Sequence, residues 1–434
     1  MFEMFSSRRR DSCDGVSRRD FLQVGALGLG ALALPQLMQA RAQAKAAGRA
    51  TKNTSVVWLW LGGGPTHVET FDPKMSAPAE FRSTVGAVKT NLPGVEIGGV
   101  FPKIAERADQ MALMRSFAHQ NSGHGGGTHW VMTGYDFKAA DNGAAPNKPG
   151  MGAIVAKYRG PNNPSTGLPT YVRMNGILGD GPAWLGPTYA PFDVAGKARQ
   201  NMNLQVALDR LSDRQQLLKG FDTLNRQIDR SGTMEGLDNF KTQAFDLVLS
   251  RAKEAFDVNK EEPKLREQYG KGLGEQMLLA RRLCEAGVGF VTIQFGGWDM
   301  HGNVAQGMKN LGPKVDNAVS SFLDDVKNRG LNDDILLVIT GEFGRTPRIN
   351  GGGGRDHWAP LSTLALAGGG LKMGQVVGQS TAKAEVPKST PIGPQDLMAT
   401  VFHVLGLPQD LHYKDPTGRP SPMISGGKPI AELI

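Results

Sequence analysis

Two apolar runs constrain the fold of this chain more than any other feature of its sequence. They are residues 288–295 (VGFVTIQF) and residues 335–340 (ILLVIT). Both are nearly continuous and rich in β-branched residues, which is typical of strands covered on both faces in a parallel sheet. A helical pattern that starts at Pro313 separates them, and residues 55–61 (SVVWLWL) form a similar run. These patterns predict an α/β fold with parallel strands and a β-α-β crossover.

Each of the three runs ends abruptly in glycine and polar residues. Residues 62–67 (GGGPTH), 296–301 (GGWDMH) and 341–346 (GEFGRT) follow the runs directly. An acid–imidazole pair, Asp356 and His357, comes after a further glycine-rich loop. Because ligands of open α/β sheets bind beyond the carboxyl ends of the strands, we expect these segments to form one site.

Another glycine-rich segment, residues 119–129 (HQNSGHGGGTH), leads into an expected helix. Small residues beside a helix start suit an anion-binding nest of backbone N–H groups. The alternative is a flexible glycine loop whose histidines are solvated. The sequence leaves both interpretations open.

Size and charge limit the classes of function. The chain of 434 residues suffices for one large domain or two smaller ones, each with a sizeable core. The formal net charge is +8, and removal of residues 1–44, which hold six Arg and four acidic residues, lowers it to about +6. No block of Lys and Arg is interleaved with aromatic residues, so the sequence predicts no nucleic-acid partner.

The amino terminus has the pattern of a twin-arginine (Tat) export signal. Arg18 and Arg19 precede an apolar run at residues 24–34, and small-residue cleavage sites follow at residues 40–44. The alternative is a basic, amphipathic or membrane-anchoring helix, but the run is too short and too rich in glycine to span a bilayer comfortably. We therefore predict that residues 1–44 are a signal peptide recognised by the Tat translocase. The mature protein would be periplasmic or secreted, with no stable membrane span.

The remainder of the chain is expected to form one domain, residues 55–434. Residues 201–285 are charged and helical in period, which predicts a helical insertion within this domain. The mature chain would keep one cysteine, Cys284, in a core position of a helix. The sequence therefore predicts no internal disulfide.

Four motifs of this domain are the most specific: residues 62–67, 297–301 (GWDMH), 341–347 (GEFGRTP) and 356–358 (DHW). With these motifs the chain resembles, from about Val56 to its end, the bacterial exported family called domain of unknown function 1501. That family is placed in the alkaline phosphatase/sulfatase-like superfamily. The resemblance implies a three-layer α/β/α alkaline-phosphatase-like domain with a mainly parallel sheet.

The resemblance also implies a metal centre. In enzymes of the superfamily, acidic and histidine side chains that follow successive strands hold one or two divalent metal ions. Carried over to this sequence, the candidate ligands are His67, Asp72, Asp299, His301, Glu342, Asp356 and His357. Phe343 stands where many members have a histidine, which leaves Glu342 as a hard oxygen donor. This shifts the expected cofactor from a two-zinc centre toward Mg, Mn, Ca or a single metal, so the divalent ion (Zn, Mn, Mg or Ca) stays open.

Each of these assignments has a structural alternative. Asp299 and His301 would otherwise make hydrogen bonds that order their loop. Glu342 would pair with Arg345, and the acid–imidazole pair at residues 356–357 would anchor a loop.

A nucleophile and substrate contacts are implied in the same way. Residues 128–134 resemble the segment that begins at the nucleophile, so Thr128 is the candidate and Ser122 competes with it. No cysteine is present there for conversion to formylglycine, which counts against sulfatase chemistry. The expected substrate-binding residues are His124, His129 and Arg345.

The leading prediction for function is therefore a metal-dependent hydrolase of phosphate or sulfate esters, exported by the Tat route. Its substrate would be a small-molecule or polymeric anionic ester, polarised by the metal. The alternative is a non-catalytic exported protein that keeps the fold and binds an anionic glycan or a protein partner in the cleft.

Overall fold

An eight-stranded sheet organises the protein, which a computed structural model describes over residues 54–195 and 251–434. The strands of these two ranges are β1 (Ser55–Trp60), β2 (Ala87–Lys89), β3 (Glu96–Gly98), β4 (Met111–Met114), β5 (Tyr171–Met174), β6 (Phe192–Asp193), β7 (Phe290–Gln294), β8 (Ile335–Thr340), β9 (Gly344–Arg345), β10 (His357–Trp358), β11 (Leu364–Gly368), β12 (Gln375–Val377), β13 (His412–Lys414) and β14 (Pro420–Pro422). Their α-helices are α1 (Pro102–Ala105), α2 (His124–Thr133), α3 (Met151–Arg159), α4 (Pro263–Tyr269), α5 (Leu273–Glu285), α6 (Val304–Asn328) and α7 (Pro394–Leu405).

The strand order in this sheet is β12-β4-β11-β8-β1-β7-β5-β6. The five strands from β8 to β6 are parallel, and β1 lies between β8 and β7. Strand β11 is antiparallel to both β4 and β8, whereas β12 is parallel to β4. The predicted α/β fold with a mainly parallel sheet is confirmed.

Helices cover both faces of the sheet. Val57 and Leu59 of β1 belong to the core formed with α5 and α6, whereas Val56 and Trp58 belong to the core formed with α2, α3 and α7. All four side chains are buried, and complete burial of one such side chain contributes roughly 1.5–3 kcal/mol. Burial on both faces explains why the strand sequences are apolar without alternation. The predicted three-layer α/β/α architecture is confirmed.

Helix α6 makes the predicted crossover from β7 to β8. It begins at Val304, and Pro313 lies inside it, so the predicted helix start at Pro313 is wrong. Pro313 is exposed, a position where its ring and its missing N–H disturb the packing least.

Two predicted segments lie wholly or partly outside the described residues. These are the signal peptide, residues 1–44, and the part of the helical insertion at residues 201–250. Within the described part of the predicted insertion, α5 packs against α6, β1 and β7. Among the helices of the described ranges, none has the length and apolar character needed to cross a membrane.

Candidate metal centre

The candidate site lies where three neighbouring parallel strands end. The loops after β8, β1 and β7 meet there, because these strands are adjacent in the sheet. The N–H of Gly63 donates to Glu342 Oε1 over 2.8 Å, and the N–H of Trp298 donates to the carbonyl of Gly62 over 3.1 Å. Gly63 has a φ of +113°, and a Cβ there would lie 2.5 Å from the backbone nitrogen of Asp299. Only glycine permits this approach of the two loops.

A fourth loop enters the site through the start of α2, which begins at His124. A Cβ on Gly127 would lie 3.0 Å from the carbonyl oxygen of Glu342. The glycines of this segment therefore allow the helix to lie close against the loop after β8. One N–H group of the expected anion nest is already used within the chain, since that of Gly126 donates to Asp141 Oδ1 over 2.6 Å.

Asp299 is the centre of the cluster. Its Oδ1 lies 3.0 Å from His301 Nε2 and 3.2 Å from His357 Nε2, and it also accepts a hydrogen bond from Arg345. Its Oδ2 lies 3.4 Å from His124 Nε2. Partial burial raises the pKa of Asp299, but the hydrogen bond and charge of Arg345 outweigh it and lower that pKa to about 2. Asp299 is therefore a carboxylate at neutral pH.

The three histidines of the cluster are oriented alike. The Nδ1 atom of His124 lies 2.8 Å from Glu342 Oε1, and that of His301 lies 2.7 Å from Asp356 Oδ1. The Nδ1 atom of His357 lies 2.9 Å from the carbonyl oxygen of residue 122. Because carboxylate and carbonyl oxygens only accept hydrogen bonds, the hydrogen-bond pattern assigns the proton of each neutral ring to Nδ1. The three Nε2 lone pairs then converge on Asp299.

This convergence leaves an electrostatic conflict. His301 Nε2 and His357 Nε2 are 3.1 Å apart, so two lone pairs face each other unless a proton or a cation lies between or beside them. The hydrogen bond to Glu342 raises the pKa of His124, whereas burial, helped by the charge of Arg345, lowers the pKa of His357. The cluster is therefore arranged for a positive charge that the imidazoles only partly supply.

Phe343 forms a wall of the site. Its buried ring lies against the imidazole of His357, with centroids 4.4 Å apart, and against that of His124, with centroids 5.0 Å apart. This packing restricts the rotation of both rings. Phe343 therefore orients the two imidazoles. From the sequence, this position was interpreted only as a missing histidine ligand.

Arg345 does not pair with Glu342, the alternative considered from the sequence. Its side chain is only 1% exposed, and all three guanidinium nitrogens donate to protein groups. Nε donates to the carbonyl of Gly64 over 2.9 Å, Nη1 to that of Arg355 over 3.1 Å, and Nη2 to Asp299 and the carbonyl of Gly63. The expected contact of Arg345 with a substrate stays a prediction.

The donor set fits a divalent metal ion. His124, Asp299 and His357 each offer one ligand atom, and these atoms lie within 4.8 Å of one another. Nearby, the buried Oε2 atom of Glu342 has no hydrogen-bond partner in the described ranges. Each ligating ring is held through its other nitrogen, which is the usual outer-shell arrangement of histidine ligands. Two imidazole nitrogens and one carboxylate suit Zn²⁺ or Mn²⁺ better than the oxygen-seeking Mg²⁺ and Ca²⁺.

Two of the predicted ligands make other contacts. Asp72 accepts a hydrogen bond from Ser380 and lies 3.2 Å from Lys74 Nζ and 3.4 Å from Arg115 Nε. His67 is buried, with Nε2 2.9 Å from the carbonyl of Ala384, and burial lowers its pKa to about 4. The structure thus places both in packed positions after β1, although the buried Nδ1 atom of His67 has no hydrogen-bond partner in the described ranges.

The two candidate nucleophiles differ in the hydrogen bonds that their hydroxyl groups make. Thr128 Oγ1 is buried and donates to the carbonyl of His124, one turn earlier in α2, over 2.6 Å. Ser122 is half-buried, and its Oγ accepts from the N–H of Ala359 over 3.0 Å. Of the predicted substrate contacts, His129 is buried with Nδ1 2.8 Å from the carbonyl of Tyr135. Ser122, whose carbonyl holds His357, is therefore the hydroxyl residue that borders the cluster.

A buried ion pair beneath the site was not recognised from the sequence. Arg355 Nε and Nη2 each lie 2.9 Å from one oxygen of Glu69, and both side chains are fully buried. The pair fixes the backbone directly before Asp356 and His357. The available signal was the position of Arg355 beside that motif and of Glu69 close to residues 62–67.

Comparison with solved structures finds similar chains among hydrolases. A sulfatase from Pseudoalteromonas sp. is 14% identical, with a TM-score of 0.41 over 87% of this chain and 72% of that one. The alkaline phosphatase of the Antarctic bacterium TAB5 is 12% identical, with a TM-score of 0.36 over 83% of this chain and 100% of that one. A phosphonate monoester hydrolase from Silicibacter pomeroyi is 13% identical, with a TM-score of 0.36 over 87% and 76%. No curated protein matches the sequence.

The family assignment rests on a separate comparison, with models of protein families. A family model described as "Protein of unknown function (DUF1501)" matches residues 53–434, which is most of the chain. This confirms the resemblance noted from the motifs. The chain belongs to the DUF1501 family.

Proposed function

We propose that this protein is an exported, metal-dependent hydrolase of phosphate or sulfate esters. The observation that carries the proposal is the convergence of three imidazole Nε2 atoms on the carboxylate of Asp299. Such a cluster in a solvent-accessible position is typical of a metal centre with an open coordination site. The side chains of His124 and His301 are 43% and 48% exposed, so the centre is open to a substrate.

In this proposal His124, Asp299 and His357 hold the ion. When bound, a divalent ion would polarise the ester and stabilise negative charge on the transferred oxygens. Glu342 orients His124 through its Nδ1 atom, and Phe343 packs on the ring. The side chains thereby hold the ligands in place before a substrate enters, which lowers the cost of reorganisation during the reaction.

His301 is the candidate for proton transfer. Asp356 holds its Nδ1 atom over 2.7 Å, and its Nε2 atom faces the cluster. The hydrogen bond from His301 lowers the pKa of Asp356, which keeps that carboxylate ionised as a partner for the ring. An imidazole oriented by a carboxylate is a common general acid or base.

Ser122 is the favoured nucleophile and Thr128 the second candidate. Thr128 would have to break its hydrogen bond to the carbonyl of His124 before it could react. A hydroxyl also needs activation by a base or metal at neutral pH. Ser122 contacts the ring of His357 through its backbone carbonyl, and its hydroxyl accepts a hydrogen bond from the N–H of Ala359, which leaves the hydroxyl proton available to a base.

One experiment tests the hydrolase proposal. The purified mature protein is depleted of metal, reloaded with Zn²⁺, Mn²⁺, Mg²⁺ or Ca²⁺, and assayed with aryl phosphate, phosphodiester and sulfate esters. We expect a bound ion to raise the free energy of unfolding, by about 2.7 kcal/mol at 100 times the dissociation constant. Asp299→Ala should lose both this stabilisation and ester cleavage, whereas His403→Ala, an exposed histidine of α7, should keep both.

The same assay separates the two hydroxyl candidates. Ser122→Ala should abolish cleavage with metal content unchanged, and Thr128→Ala should retain it. Full activity in both variants would exclude these two hydroxyls as the nucleophile. Absence of bound metal under every condition, with stability unaffected by EDTA, would refute the metal centre itself.

The second candidate function is a non-catalytic binding protein for an anionic glycan or a protein partner. It is supported by the engagement of the Thr128 hydroxyl and the Arg345 guanidinium in internal hydrogen bonds. Saturable binding of a sulfated or phosphorylated polysaccharide, with no turnover of any ester, would favour this function over hydrolysis.

A further inference from the structure

Asp299 presents its two carboxylate oxygens to different surroundings. Oδ2 faces His124 Nε2 at 3.4 Å. Oδ1 faces Arg345, with which it forms a close hydrogen bond, and His301 Nε2 at 3.0 Å. His357 Nε2 lies 3.2 Å from Oδ1 and belongs to the group that can hold an ion together with His124. Two cation positions can therefore share this carboxylate, one beside His124 and His357 and one beside Arg345 and His301.

The position on the Oδ1 side already holds a positive charge. The guanidinium of Arg345 is buried and bonded to the carbonyls of Gly63, Gly64 and Arg355. These three carbonyls come from the loop after β1 and from the segment before β10, so the side chain is fixed from two directions. An arginine stays protonated under all conditions relevant to proteins. The charge is therefore permanent and cannot swing away.

A second metal ion would need the same groups as Arg345. Its ligands on this side would be Asp299 Oδ1 and His301 Nε2, and the latter lies 3.5 Å from Arg345 Nη1. A divalent ion bound to these atoms would lie within a few ångströms of the guanidinium, where repulsion between like charges is strong in a partly buried site.

We infer that Arg345 takes the place of a second metal ion, so that the centre binds one divalent ion, held by His124, Asp299 and His357. This inference rests on the proposed metal centre and specifies its composition. Arg345 then acts on a bound anion through its charge, since its N–H groups are committed to the protein. His301 lies beside the guanidinium and is not a ligand of the ion, so its imidazole can exchange a proton with the substrate.

Counting ions in the wild-type protein tests this inference directly. The metal-free protein is titrated with Zn²⁺ and, separately, with Mn²⁺, followed by calorimetry and by elemental analysis after gel filtration. We expect one ion per chain with either metal. Two ions per chain would overturn the inference while leaving the proposed metal centre standing. No ion would overturn the proposed centre, and the inference with it.

Two histidine variants identify the side on which the ion binds. His124→Ala should weaken Zn²⁺ binding by more than about 100-fold, beyond the range typical of a lost outer-shell contact. His301→Ala should weaken it less, by no more than the roughly 10–100-fold of a lost outer-shell contact, because His301 touches Asp299 but is not a ligand in this arrangement. The opposite order of effects would overturn the inference. Both side chains are more than two-fifths exposed, so neither variant removes a core residue.

Replacement of the guanidinium completes the test. Arg345→Met should open the Oδ1 side and raise the count from one ion to two, whereas Arg345→Lys should keep one. A folded Arg345→Met protein that still binds one ion would overturn the inference. Circular dichroism reports whether this buried substitution is tolerated, and if it is not, the wild-type count and the histidine pair decide the question.

Discussion

Gly63 is the residue on which the position of Asp299 most directly depends. Its φ of +113° is unfavourable for other residues, and a Cβ would lie 2.5 Å from the nitrogen of Asp299. We expect Gly63→Ala to lower the free energy of unfolding by about 1–3 kcal/mol and to weaken metal binding, because the Asp299 backbone must shift. Urea unfolding and a Zn²⁺ titration measure the two effects.

Gly94→Ala is the matched control for that substitution. Gly94 also has a positive φ, +74°, but a Cβ there meets nothing within 4 Å. This variant should show the backbone strain alone, with metal affinity unchanged. Equal metal affinity in the two variants would show that the contact with Asp299 does not position the carboxylate.

For individual residues, the sequence predicted which side chains lie close together better than it predicted the role of each side chain. Asp299 and His357 follow motifs at strand ends, so their meeting could be predicted. His124 was expected to bind substrate, and its place beside Asp299 depends on how closely α2 packs against the loop after β8. The pairing of Arg345 with Asp299, instead of Glu342, depends on side-chain directions that a single sequence does not encode.

A buried ion network joins helices α5 and α6. Arg281 is 0% exposed, and its guanidinium lies 2.8 Å from Asp325 Oδ2 and 2.9 Å from Glu261 Oε1. We expect Arg281→Met to lower the free energy of unfolding by about 1.5–3 kcal/mol, because two nearly buried carboxylates each lose a fully buried charged donor while keeping Arg329. Arg329 pairs with the same two acids but is 33% exposed. Arg329→Met should therefore cost no more than about 1 kcal/mol.

Urea denaturation at neutral pH measures both variants. If the two substitutions had equal effects, solvent would be screening Arg281 as well, and the network would not be a buried one. The comparison is informative because the two arginines share their partners and differ mainly in exposure.

The elements themselves were largely predictable because burial on both faces leaves a continuous apolar pattern. Strands β1, β7 and β8 and the crossover helix α6 were identified on this basis. The antiparallel direction of β11 was not, since a run such as residues 364–368 (LALAG) carries no information on direction. The start of α6 was missed because a proline is more common in the first turn of a helix than within it.

At the scale of the whole molecule, the core of the described ranges contains no disulfide. The one cysteine of the described residues, Cys284, is buried among apolar side chains, and burial raises the pKa of its thiol to about 12. The domain therefore relies on packing and on ion pairs such as Glu69–Arg355 for its stability. This agrees with the proposed Tat route, which would carry the protein in its folded state.

The export route is tested by the arginine pair of the proposed signal. Replacing Arg18 and Arg19 by Lys keeps the charge but removes the planar guanidinium groups, so we expect the unprocessed precursor to accumulate in the cytoplasm. Arg9 and Arg10 belong to a run of three arginines, residues 8–10, closer to the terminus, and replacement of these two by Lys should leave export unchanged. Immunoblots of cytoplasmic and periplasmic fractions distinguish precursor from mature chain. Normal periplasmic levels of the Arg18→Lys/Arg19→Lys protein would mean that the segment is not a twin-arginine signal, whereas retention of both double variants would indicate a dependence on arginine in general.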